Sequence, residues 1–242
     1  MENFLNTVST QTEKEKNREQ RKLRRETRRG ELDLPNYTAG EEAANAISHG
    51  AGAILSIFAI FFLLKSAPDD FVGRFSVLVY GISLFALYTV STLYHALGVC
   101  GAKKVFRILD HCTIYLLIAG TYTPITLLCL TGRTGLILFA VVWTAAIVGI
   151  VLNAVDMKRF RKVSMACYLA MGWSVVFAFG PLIKAMKPQD VFLLLLGGVL
   201  YTVGAVIYGK GRSVRYMHSL WHLFVLGGSI SHFFLVYHLA LA

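Results

Sequence analysis

Two histidines, His218 and His222, stand four residues apart at the start of the last long apolar run of the chain. On a helix that spacing puts both imidazoles on one face, one turn apart, where they can offer two nitrogens to a single metal ion. An ionisable side chain inside a membrane helix costs about 3 kcal/mol or more, so such residues usually have a partner or a function. The same filter picks out His95 with Ser91 four residues before it, the pair Asp110-His111, and the stretch Glu42-Ala-Ala-Asn45-Ala-Ile-Ser-His49.

The elements that must position these residues follow from composition. The chain has 242 residues, 55% hydrophobic and 16% charged, against about 25% charged in a soluble domain. Its charges fall in bursts between apolar runs of bilayer-spanning length, about 20 residues as helix. This is the pattern of an all-α integral membrane protein, a polytopic helix bundle. Seven spans are expected, at about 45–64, 75–97, 110–130, 135–154, 163–183, 191–209 and 217–239. They form a membrane domain over 41–242, preceded by a polar basic segment over 1–40.

The net charge of +10 would suggest a nucleic-acid partner in a soluble protein; here the excess sits in alternate loops, where it sets topology. One set of segments holds the N-terminal basic run, Lys103, Lys104 and Arg107, then Lys158 to Lys162, then Lys210, Arg212 and Arg215. The opposite set is much poorer in basic residues, which predicts the N-terminus in the cytoplasm and the C-terminus outside the cell membrane. Between Glu13 and Arg29 nine Lys or Arg alternate with Glu, compatible with either a surface helix or a disordered flank. The four cysteines form no CxxC pair and read as small buried hydrophobes rather than a disulfide or thiolate framework.

On this topology the polar membrane residues share one layer. His49, Ser91 and His95, Asp110 and His111, and His218 and His222 all fall near the cytoplasmic ends of their spans. Three neutral imidazoles and a water make a tetrahedral catalytic zinc site, and His95, His218 and His222 are the ligands expected. Zinc lowers the pKa of its water to about 7; Asp110 is then the candidate general base or orients a ligand histidine, and Ser91 lies four residues before His95 on the same helix face. A lone intramembrane histidine is more often a hydrogen-bonded packing residue; it is the matching depth of four helices that favours metal. His111 points about 100° away from Asp110 on a helix and is the weaker ligand candidate. His232 lies about 21 Å beyond His218 along the same helix, which suits a bond to a neighbouring helix. Glu42, Asn45 and His49 have two readings: a helix start with acid at the positive end of the dipole, slightly favoured on spacing, or a polar network closing the site. Gly120-Thr-Tyr-Thr-Pro124 reads as a kink whose hydroxyls bond freed backbone groups.

These motifs together resemble the bacterial hemolysin III family, related to the progestin and adipoQ receptors and more remotely to alkaline ceramidases. The motifs that carry the resemblance are Glu42-x2-Asn45-x3-His49, Ser91-x3-His95, Asp110-His111, Gly120-Thr-Tyr-Thr-Pro124 and His218-x3-His222. They cover the chain from about residue 40 to 240. The resemblance implies a seven-helix fold with a cytoplasm-side zinc site in which His95, His218 and His222 bind the metal and Asp110 and Ser91 stand next to it. It also implies a role in membrane lipid homeostasis, with membrane lipids as partners. Fold likeness does not define a mechanism, and three functions compete: an intramembrane zinc hydrolase of a lipid amide or ester, a receptor-like sensor with structural zinc, and a haemolytic pore, channel or transporter. Against the last, spans four to six hold few ionisable groups, and Pro124 and Pro181 do not form the paired broken helices of an inverted repeat.

Overall fold

The computed structural model describes residues 2–210 and 214–242 and is helical, without a strand among the described residues. Helix α1 covers Glu2–Glu31, α2 Ala39–Ser66, α3 Phe71–Ala96, α4 Gly101–Pro124, α5 Arg133–Gly172, α6 Phe179–Ala185, α7 Pro188–Lys210 and α8 Met217–Leu241. Of the two readings of the basic N-terminal segment, the helix is the one realised. Among the described residues six helical stretches are long and apolar enough to cross a membrane.

Local chemistry sets the boundaries. Thr38 opens α2 with a reciprocal capping box: its hydroxyl accepts from the Glu41 amide, and the Glu41 carboxylate accepts from the Thr38 amide. Asp70 caps α3 by accepting from the Gly73 amide. Helix α4 begins at Gly101, so Asp110 lies well inside it rather than at its first turn. At its far end Pro124 passes the chain into a π-helical turn over Ile125–Cys129. There the hydroxyls of Thr121, Thr123 and Thr126 donate to carbonyls one turn back, as a kink in lipid requires.

The fourth apolar stretch, Arg133–Ala185, has 53 residues and reverses on itself. The break is Asp156, with φ −154° and ψ 85° inside α5. Its carboxylate accepts from the Arg159 amide at 2.9 Å, which makes it the N-cap of the returning half. Asn153 pairs across the reversal with Ser164 at 2.6 Å and with Tyr168 at 3.1 Å; along a straight helix those residues would stand about 16 and 22 Å away.

Packing follows the chain: α2 against α3, α3 against α4, α4 against α5, α7 against α8, and α2 against α8 to close the ring. Helix α4 is central, contributing to both apolar cores. Leu117 joins Leu63, Val77, Leu84 and Val236, whereas Tyr115, Ala119 and Tyr122 join Val142, Met171, Val175 and Leu235. Large apolar side chains such as Phe58, Phe61, Ile137, Val148 and Phe177 face outward, where lipid is the solvent. Many polar groups turn inward and pair with one another: the Ser229 hydroxyl meets the phenols of Tyr88 at 2.7 Å and Tyr201 at 2.8 Å, tying α3, α7 and α8 together.

Close helix approach depends on missing side chains. A Cβ on Gly120 would sit 2.2 Å from Ser83 Oγ and 2.7 Å from Ser83 Cβ on α3. Gly120→Ala is therefore expected to cost about 1–3 kcal/mol by overpacking, read as a lower thermal midpoint of the detergent-solubilised protein; an unchanged midpoint would show that α3 can move away freely.

Candidate metal centre

The site is built at the end of the bundle where α1 joins α2. His95 comes from the last turn of α3, and His218 and His222 from the first two turns of α8. Among the described residues these three form a buried group whose ring nitrogens all lie within 4.8 Å of one another. Nε2 of His218 faces Nε2 of His95 at 3.3 Å.

Partners behind the rings set the tautomers. The His95 Nδ1–H donates to Glu42 Oε2 at 2.8 Å, and a carboxylate can only accept, so Nε2 of His95 is left with its lone pair. Ser48 donates its hydroxyl to the Asn45 carbonyl at 3.0 Å and stands 3.2 Å from His222 Nδ1. The serine oxygen is therefore free to accept from His222 Nδ1–H. That leaves His222 Nε2 as a second lone pair, buried and without a protein partner. An imidazole oriented by a carboxylate or other polar group behind its ring is the arrangement metal sites use. The donor set therefore fits a divalent metal that favours nitrogen, zinc included.

Glu42 is held in turn. Its Oε1 receives Lys103 Nζ at 3.0 Å and Arg29 Nη2 at 3.8 Å. Lys103 also donates to the carbonyls of Tyr94 and Leu97, the last turn of the helix that carries His95. Asn45 stands 3.4 Å from His95 Nδ1 and accepts from Ser219 at 2.6 Å, beside His218. His49 stacks on His222 with ring centroids 3.5 Å apart. Tyr37, in the strap between α1 and α2, covers the triad at 5.0 Å from the His218 ring and 5.8 Å from the His95 ring. Burial pushes its phenol well above its ordinary pKa, so the cover stays uncharged.

The structure thus joins His95, His218 and His222 with Glu42, Asn45 and His49. The two readings of the α2 start divide between neighbours: Glu41 caps the helix, and Glu42 orients a ligand candidate. Ser91 is fully buried one turn before His95, its hydroxyl without a protein partner. Asp110 and His111 stand apart from the triad. Asp110 is buried and lines, with His49 and Trp221, an apolar chamber between α4, the returning half of α5, α7 and α8. His111 donates from Nδ1 to the Arg107 carbonyl and meets the Tyr208 hydroxyl through Nε2 at 3.2 Å. His232 bonds the Leu194 carbonyl of α7, as its distance from His218 predicts. The sequence reading missed Ser48, Ser219, Tyr37, Arg29 and Lys103; the two serines were signalled only by adjacency to Asn45, His49 and His218.

A helical protein with repeated membrane-length helices and a buried three-histidine group belongs to the class of multi-pass membrane proteins. A family model described as Haemolysin-III related matches residues 37–233, and the chain belongs to that family. It is 47% identical over 200 residues to Hemolysin-3 of Bacillus cereus, covering 81% of this chain and 90% of that one. It is 42% identical over 205 residues to a Hemolysin-3 homolog of Bacillus subtilis (strain 168), covering 83% and 94%. A more distant relative is the human monocyte to macrophage differentiation factor, 28% identical over 209 residues, covering 83% and 84%, in keeping with a relation to the progestin and adipoQ receptors. The protein is accordingly a multi-pass protein of the bacterial cell membrane.

Removing Lys103 tests the support of the site. Lys103→Met leaves the Glu42 carboxylate with Arg29 as its remaining cation, and is expected to cost about 3 kcal/mol, measured as loss of thermal stability in detergent. Wild-type stability in this variant would show that Arg29 alone satisfies the carboxylate.

Proposed function

We propose that the protein holds zinc between His95, His218 and His222 and acts in membrane lipid homeostasis as a zinc-dependent hydrolase of a lipid amide or ester. The observation that carries this reading is the convergence of the three imidazoles, two with tautomers set by Glu42 and Ser48, beside an apolar chamber lined by Asp110. Held by these three imidazoles, zinc would supply Lewis acidity for a carbonyl and a water of lowered pKa. Asp110 takes the proton of the attacking water and returns it to the leaving nitrogen or oxygen as the carbonyl–heteroatom bond breaks. Ser91 offers a hydroxyl donor at the level of His95. The chamber takes the acyl chain, and membrane lipids are the substrates and partners.

In this reading Arg133–Ala185 crosses the membrane twice, giving seven crossings with the N-terminus in the cytoplasm and the C-terminus outside. Its support is the reversal at Asp156, the loop charges, and length: 53 residues of straight helix would run about 80 Å, against a hydrocarbon core of about 30 Å. The triad then lies in the cytoplasmic leaflet. A second reading, a receptor-like sensor with structural zinc, is favoured by the cover of Tyr37 and the near-complete burial of all three histidines.

Metal analysis of the purified protein is expected to give about one zinc per chain, lost in a His218→Ala/His222→Ala double variant. Glu42→Gln is expected to weaken zinc binding about 10- to 100-fold. Asp110→Asn is expected to keep the zinc and lose lipid hydrolysis. Zinc-free folded protein after metal supply would overturn the metal reading; zinc-loaded protein that cleaves no lipid amide or ester would leave the sensor.

A further inference from the structure

A second cavity opens above the triad, and its chemistry differs from that of the apolar chamber. Its walls are the strap from Asp33 to Thr38, Arg107 of α4, Lys158 and Arg161 just past the α5 reversal, and Arg215 before α8; His218 lies at its base. Among the described residues the lining holds four basic residues, Arg107, Lys158, Arg161 and Arg215, against two acids, Asp33 and Glu41, a difference of +2. Both acids are already engaged. Asp33 pairs with Arg107 at 3.6 Å and Lys158 at 3.9 Å, and the Glu41 carboxylate accepts from Thr38 and from the Tyr216 amide. Among the described residues the ion pairs of this cavity are those two of Asp33; Arg215 interacts electrostatically with the Glu41 carboxylate without forming an ion pair with it, and Arg161 is in no ion pair, so both guanidinium groups keep hydrogen-bond donors for an added anion.

Basic loop residues alone would be explained by membrane topology. Topology does not require that they come from three separated segments to line one cavity, nor that Arg107 be only 9% exposed. Two guanidinium forks lining one cavity supply the donors that phosphate oxygens accept from. The cavity also shares His111 and Tyr208 with the apolar chamber, and these two side chains are hydrogen-bonded to each other at 3.2 Å. A basic polar compartment thus adjoins an apolar one across a single polar seam.

We propose that this vestibule, through Arg161 and Arg215, binds a phosphate group, and that the apolar chamber beyond His111 and Tyr208 takes the acyl chain of the same molecule. The proposal rests on the lipid-directed reading above and narrows its substrate to phosphate-bearing lipids. A free phosphate has the same oxygens and would use the same arginines, so the two sources need separate probes.

The test is binding to the full chain in a neutral detergent, with dihexanoyl phosphatidylglycerol, dihexanoylglycerol and inorganic phosphate as probes. Dihexanoyl phosphatidylglycerol is expected to bind about tenfold or more tighter than dihexanoylglycerol, and an Arg161→Gln/Arg215→Gln variant to lose that difference. Both arginines are exposed, and the variant is expected to keep the wild-type melting temperature and zinc content. Inorganic phosphate binding as tightly as the lipid, and lost in the variant, would keep the phosphate site and assign it to a free anion. Equal affinity for the two lipids, or phosphate selectivity unchanged in the variant, would overturn the proposal. The readout uses neither turnover nor metal, so failure of the hydrolase reading shows separately, in the zinc and cleavage assays.

Discussion

The Glu42 carboxylate is the charge around which one end of the bundle is assembled. It sits on α2 with a side chain 12% exposed and is met by Lys103 of α4, Arg29 of α1 and the His95 N–H of α3. An uncompensated buried charge costs several kcal/mol, so four helices must bring their partners together before this one is tolerable. The same interaction decides which nitrogen of His95 carries the proton. Structural compensation and preparation of the histidine triad are therefore one network. That also explains why the end of a mostly solvent-facing basic helix is docked: Arg29, which bonds the Tyr37 carbonyl as well, anchors α1 and holds the strap that carries the cover of the site.

Further along the bundle the ordering principle is the absence of water. Buried hydroxyls close on the nearest carbonyls or on one another, as around Ser229 and through Thr121, Thr123 and Thr126. Against that background the buried polar atoms that find no protein partner stand out. Several cluster near the triad: Ser91 Oγ, His222 Nε2 and both ring nitrogens of His49. In a medium where an unmet polar group costs several kcal/mol, such a concentration points to a polar guest.

Much of this was legible in the sequence, because the signals were periodic or costly. Apolar runs of bilayer length mark the helices, and ionisable residues within them mark the site: His95, His218 and His222 were placed together from span order and loop charge alone. Lys103 was not legible, because a basic residue that sets topology and one that neutralises a buried carboxylate look alike in a loop-like stretch. Glu42 was ambiguous for a related reason: a helix N-terminus attracts acids, and only the structure shows that Glu41 fills that role. The segment from Val155 to Lys162 reads as a charged loop, yet it contains no Gly or Pro. It stays helical on both sides of one residue, Asp156, whose side chain caps the return. Composition cannot reveal a reversal made by a single pair of dihedral angles.

Access to the triad follows from what surrounds it. Tyr37 and the strap cover one side, His49 stacks on another, and the Glu42 network fills the space behind His95. The compartments left are the apolar chamber, reaching the layer through His49 and Asp110, and the basic vestibule, reaching it through His218. A water-soluble solute would meet only the second, and a hydrocarbon only the first. A molecule that uses both must be amphiphilic and must lie across the His111–Tyr208 seam, with its polar head on the side of the arginines. That orientation is the one a lipid of the adjacent leaflet already has. On the lipid-directed proposal, such a molecule would enter sideways from the bilayer rather than be lifted from it, with little reorientation needed to reach the layer of the histidines.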